Sequence, residues 1–157
     1  MPSITIHNDT AKRTRHSTLR RALETLLRHY NVSESKIDVL LTSDENMRRL
    51  NSEFRRIDEA TDVLTFPGPA WSGAPLGDIA ISVEFAARGA TARRVPVHEE
   101  LAYLGIHGGL HLLGYDDQTD LGREDMVNRM NEVASLVGIR TDENWSSQPH
   151  RSVNNGK

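Results

Sequence analysis

Apolar residues recur along this chain with two different periods, and each change of period marks out an element. Residues 3–7, Ser-Ile-Thr-Ile-His, alternate apolar and polar and predict a short strand. From Lys12 to about Tyr30 the apolar positions are Leu19, Ala22, Leu23, Leu26, Leu27 and Tyr30. That is one helical stripe, with Asn8-Asp9-Thr10 ahead of it as candidate caps. Asn31 breaks this helix. Residues 36–42 carry Ile37, Val39, Leu40 and Leu41, the content of a buried strand. Ser43-Asp44 then starts a second helix through about Phe54, with Met47, Leu50, Asn51 and Phe54 on one side. Val63, Leu64 and Phe66 predict an edge strand ended by Pro67. The glycines and prolines of residues 67–77 predict a loop, whose Trp71 is expected to pack against the body. Glu84–Thr91 reads as a short helix, residues 93–96 as a linker, and Pro96 as the start of a helix running to Leu113. Leu121–Val137 is amphipathic, with Met126, Val127, Met130, Val133, Ala134 and Val137 inward and Gly138 as its stop.

Composition narrows the class. At 157 residues the chain has room for one domain with a real core, and no repeat divides it. Residues 1–140 are expected to form that single domain, and the polar residues 141–157 a mobile tail. The absence of cysteine excludes disulfides and thiolate metal sites and fits a reducing compartment. No apolar stretch is long enough to span a bilayer and no signal-like start is present, so the expected location is cytoplasmic and off the membrane. A formal net charge of −3 does not announce a nucleic-acid binder. Arginine, however, is paired at Arg20-Arg21, Arg48-Arg49, Arg55-Arg56 and Arg93-Arg94. Its planar fork suits phosphate, although a solvated surface accounts for most such pairs.

The chemistry concentrates in residues 107–117, His-Gly-Gly-Leu-His-Leu-Leu-Gly-Tyr-Asp-Asp. On a helix, His107 and His111 stack one turn apart on one face, roughly 6 Å along the axis. Two ring nitrogens leaning together can close on one ion at about 2.1 Å each. Gly114 supplies the left-handed stop, after which the chain can fold back and bring Asp117 to the same ion. Three protein ligands leave a fourth position open, the arrangement of a catalytic rather than a structural metal. Zinc suits this set, one ion per chain; iron(II) and manganese also take two histidines and a carboxylate. The spacing H-x-x-x-H-x-x-G-x-x-D also resembles the metzincin protease signature, but a glutamate base follows the first histidine there and Gly108 follows it here.

The same run resembles the motif HGxLHLxGYDH of the YbeY family of bacterial endoribonucleases. It matches at His107, Gly108, Leu110, His111, Leu112, Gly114, Tyr115 and Asp116, and departs at Asp117, where the family usually has a third histidine. Leu50-Asn51-Ser52-Glu53-Phe54-Arg55 resembles the family block in which an aromatic residue and a functional arginine follow Leu-Asn. Thr61-Asp62-Val63-Leu64-Thr65-Phe66-Pro67 is similar to a second block, and Gly77-Asp78-Ile79 to the family's G-D-I strand. The resemblance implies an α+β fold, a small mixed sheet of about four strands packed with helices, one of them a zincin-like metal helix. It implies His107, His111 and Asp117 as metal ligands and Arg55 as the active-site arginine. Asp78 would pair with a ligand or an arginine, or cap a turn; His98 would be a surface or supporting residue. The implied function is a metal-dependent, single-strand-specific endoribonuclease that matures ribosomal RNA at the small-subunit 3′ end and serves ribosome quality control. Its partners would be single-stranded RNA, rRNA, and the ribosome or its proteins. From the residues alone, a metallopeptidase and a non-catalytic ribosome-assembly factor with a structural metal stay open beside it.

Overall fold

A computed structural model describes residues 1–145. In chain order the elements are β1 (Ser3–Asn8), α1 (Ser17–His29), β2 (Lys36–Thr42), α2 (Asp44–Arg55), β3 (Val63–Pro67), β4 (Gly77–Ser82), α3 (Val83–Arg93), α4 (Val97–Leu112) and α5 (Asp120–Val137). The four strands form one mixed sheet in the order β1-β2-β4-β3. β1, β2 and β4 run parallel, and β3 returns antiparallel along β4, pairing Val63 with Ile81 and Pro67 with Gly77. The fold is α+β, as the patterning predicts.

Strand alternation sorts the sheet into two faces. Ile37, Val39 and Leu41 of β2 and Ile79 and Ile81 of β4 join the main core with the helices. The opposite face carries a smaller cluster, in which Met47 of α2 packs on Leu64 and Ala80. At the centre of the main core lies α4, which is buried on nearly all sides. It packs against α1, α3, α5, β3 and β4. Two glycines admit α1 this closely: a Cβ at Gly105 would meet Leu19 Cδ1 at 2.3 Å, and one at Gly109 would meet Leu26 Cδ2 at 2.3 Å.

Three local expectations are corrected. The first helix starts at Ser17 rather than Lys12, because Asn8 and Thr10 close a turn of their own. The Asn8 carboxamide oxygen accepts from Thr10 N at 2.9 Å and its amide donates to Lys12 O at 3.0 Å. Side chains bonded in this way are not available to cap a helix. Trp71 does not pack against the body; it is 70% exposed. The polar stretch expected from residue 141 onward also begins differently: Trp145 is 6% exposed, and Asp142 pairs with Arg93 at 3.0 Å. The remainder of that stretch, residues 146–157, lies outside the described residues.

Candidate metal centre

The last two turns of α4 carry the histidine pair, and the chain then stops in a Schellman arrangement. Gly114 has φ +102°, its N–H donates to His111 O at 3.0 Å, and Tyr115 N–H donates to Leu110 O at 3.0 Å. Tyr115 is the anchor of the returning chain. Its ring lies 5.8 Å from Tyr30, and the Arg129 guanidinium sits 4.1 Å over it. Beyond that anchor, Arg123 Nη1 donates to Asp117 O at 3.2 Å. Glycine, aromatic anchor and arginine together turn the Asp117 side chain back toward the helix it has just left.

The donor atoms converge. His111 Nε2 and His107 Nε2 are 3.1 Å apart. Asp117 Oδ2 lies 3.5 Å from His107 Nε2, and Oδ1 lies 3.7 Å from His111 Nε2. Two ligands at tetrahedral angles with arms of about 2.1 Å stand roughly 3.4 Å apart. The three separations bracket that value, so the residues present fit a single divalent ion. His107 is buried, while His111 and Asp117 are part-exposed. The cluster therefore has a closed rear and a front that opens to solvent.

That front is a cavity of about 130 Å³ lined by Arg55, Val63, Thr65, His111, Asp116, Asp117 and Gln118. Arg55 is the last residue of α2, yet it reaches the site by passing the edge of the sheet. Its Nη2 donates to Thr65 O on β3 at 3.4 Å. Burial lowers its pKa from the usual arginine value. Arginine stays charged through such a shift, so the cost of desolvation is recovered when an anion arrives. The structure thus brings all four expected site residues to one place: three through a single helix and its turn, the fourth across the sheet.

Asp116 stands apart from the cluster. Its Oδ1 accepts from Gln118 N at 3.2 Å, which makes it a turn residue at the rim. Asp78 is elsewhere: it pairs in register with Asp38 on the sheet face that carries Met47, Leu64 and Ala80. Burial and then the nearby Asp38 raise its pKa. His98 Nδ1 lies 2.9 Å from Thr18 Oγ1, where it ties the start of α4 to α1. Gly108 faces β3 and β4 of the sheet. A Cβ there would meet Ile79 Cγ2 at 3.0 Å and Thr65 Cγ2 at 3.3 Å. As glycine, this position offers no side chain to serve as a metzincin base. Thr65 and Gln118 line the cavity without having been singled out by sequence; Thr65 lies within the block similar to the family, and Gln118 follows directly on the metal motif.

Comparison with known proteins agrees with this geometry. The family model described as Endoribonuclease YbeY matches residues 3–138. A protein of Nautilia profundicola named Endoribonuclease YbeY is 45% identical over 114 residues, covering 69% of this chain and 82% of its own. One of Wolinella succinogenes with the same name is 39% identical over 117 residues, covering 71% and 83%. Among solved structures, a Thermotoga maritima protein determined in solution superposes with a TM-score of 0.59 at 26% identity, covering 87% of this chain and 89% of that one. With the match running through the sheet, Arg55 and the His107–Asp117 cluster, this chain belongs to the YbeY family.

Proposed function

We propose that the protein is a metal-dependent endoribonuclease that cleaves single-stranded ribosomal RNA during its maturation, in the cytoplasm and in contact with the ribosome. The observation that carries this reading is a cluster of three convergent donor groups, two of which line one cavity with a half-buried arginine. His107, His111 and Asp117 would hold the ion, with zinc the best match to two imidazoles and a carboxylate. When bound, it supplies a polarised phosphoryl oxygen or an activated water. The rest is the work of the chain. Arg55 offers two parallel N–H donors to a phosphate and neutralises the charge that grows on it as the phosphorus–oxygen bond breaks. The Thr65 carbonyl aims that fork across the edge of β3. The buried flank of His107 keeps bulk water out of the rear of the cluster, so solvent reaches it from the cavity side.

Gly108, which can carry no proton, weighs against a metallopeptidase. No described helix is long and apolar enough to cross a membrane. The test is purified protein incubated with single-stranded RNA and, separately, with casein, before and after chelation and after zinc is restored. RNA cleavage that stops with chelator and returns with zinc is expected, with casein intact. Metal content without RNA cleavage would instead favour an assembly factor whose ion only ties α4 to its turn.

A further inference from the structure

Behind the cluster, on the side away from the cavity, the wall is built by a segment that lies outside the family match. That match ends at residue 138, and residues 139–145 then run back along α4. Arg140 begins the attachment: its N–H donates to Glu99 Oε1 at 3.2 Å, and its Nη1 donates to Arg94 O at 2.8 Å. Asp142 N–H donates to Tyr103 Oη at 2.8 Å and to Asn131 Oδ1 at 3.0 Å, while its carboxylate accepts from Arg93 Nε at 3.0 Å. Trp145 N–H closes the turn onto Asp142 O at 3.3 Å. The product of these bonds is an indole delivered into the core.

The indole stacks on Tyr103 at 5.7 Å with 10° between planes, and its Nε1 lies 3.5 Å from Glu100 Oε2. Its other neighbour is the ligand face itself. The His107 ring lies 5.2 Å away at 54°. Tyr103 and His107 are one turn apart on α4, and Trp145 touches both, so the rotation of the His107 ring is limited from behind. We propose that Trp145 is a positioning residue for the metal centre, fixing the His107 imidazole and sealing its rear against water. Groups that orient a ligating histidine, and the apolar shell around it, govern metal affinity. The role presupposes that His107, His111 and Asp117 hold a metal.

Trp71 and Trp145 are the only tryptophans, and Trp71 is exposed, so Trp71→Phe leaves Trp145 as the single reporter. In that chain, cobalt(II) uptake followed by its visible absorption should quench tryptophan emission in step with binding. Zinc affinity by chelator competition gives the second readout. Trp145→Ala and Trp145→Leu should weaken zinc binding about tenfold or more, with Trp145→Phe restoring it to within roughly threefold because a flat ring again abuts His107. If Trp145 only filled space, Leu would restore affinity as well as melting temperature. Cobalt uptake without quenching, or equal zinc affinity in the wild-type, Leu and Ala chains, overturns the role. The quenching test needs no change at Trp145 and so stands even if Trp145→Ala fails to fold. No cobalt or zinc uptake at all overturns the metal reading along with it, whereas metal uptake and quenching without RNA cleavage leaves Trp145 in place and removes the nuclease.

Discussion

Arg55 is a cation held half out of water at the end of a helix, with a carbonyl at 3.4 Å as its hydrogen-bond partner. An anion in the cavity is what makes that position favourable, and it sets the first prediction. Arg55→Ala should lower RNA cleavage at least about a hundredfold, the usual effect of losing one donor to a developing charge. Metal content and melting temperature should stay nearly unchanged; Arg55→Lys should recover only part of the rate, because a point charge does not replace a fork. A metal-replete Arg55→Ala chain cutting at the wild-type rate would refute the assignment. Asp117 and Asp116 make a second contrast. Asp117 lies 3.5 and 3.7 Å from the two imidazole nitrogens, whereas Asp116 binds the backbone of Gln118. Asp117→Ala should weaken zinc affinity about tenfold or more and Asp116→Ala far less, while Asp117→His should keep the metal. Matching affinities for Asp117→Ala and wild type, measured against a chromogenic chelator, would remove Asp117 from the ligand set.

At the scale of elements, α4 is where sequence and site meet. Its pattern is hydrophobic almost all round, which is the signature of a buried helix. Gly105 and Gly109 let α1 approach it, and a larger residue would push Leu19 or Leu26 out of place. Gly105→Val should therefore cost about 1–3 kcal/mol through overpacking. For a domain of this size that lowers Tm by roughly 2–12 °C; an unchanged melting curve would show that α1 can give way freely. The same helix carries Tyr103, whose burial pushes its phenol up to about 12 from 10.0. A raised folded-state pKa means that this group's contribution is fully present below pH 10 and is lost as pH rises toward 12. The loss should be roughly 2–3 kcal/mol over that window and should flatten in Tyr103→Phe, as read from denaturant midpoints at each pH. The cap of α2 was legible: Ser43 accepts from Asn46 N, whereas the Thr119 cap of α5, which accepts from Gly122 N, was not singled out. The start of α1 was not legible, because Asn8 and Thr10 satisfy each other locally, and a capping motif read as a string does not reveal which partner its side chain will choose.

For the whole molecule, an ion held by His107, His111 and Asp117 would join α4 to the turn behind it, and ligand binding to the folded state alone adds stability by mass action. At a hundredfold excess over Kd that is about 2.7 kcal/mol. Chelation should therefore lower Tm by roughly 5–11 °C, and zinc should restore it; an identical Tm with and without chelator would show that the ion is not linked to folding. The sequence by itself determined the elements, the stop at Gly114 and the pairing of His107 with His111. These depend on local periodicity, backbone conformation and a spacing of four, all of which act within a turn or two of chain. It also carried Asp117 as a candidate, through the fold-back that Gly114 allows, and Arg55, through its likeness to a family block rather than through any local rule. Only the tertiary structure decided that Arg55 crosses the sheet edge to Thr65, that Gly108 packs on Ile79 and Thr65, that Asp78 lies on the other face, and that Trp145, within a stretch that reads as polar tail, is buried against His107. Each of these depends on how separate elements come together. Its energy comes from packing and desolvation at positions fixed by the order β1-β2-β4-β3, and no single element contains both sides of it.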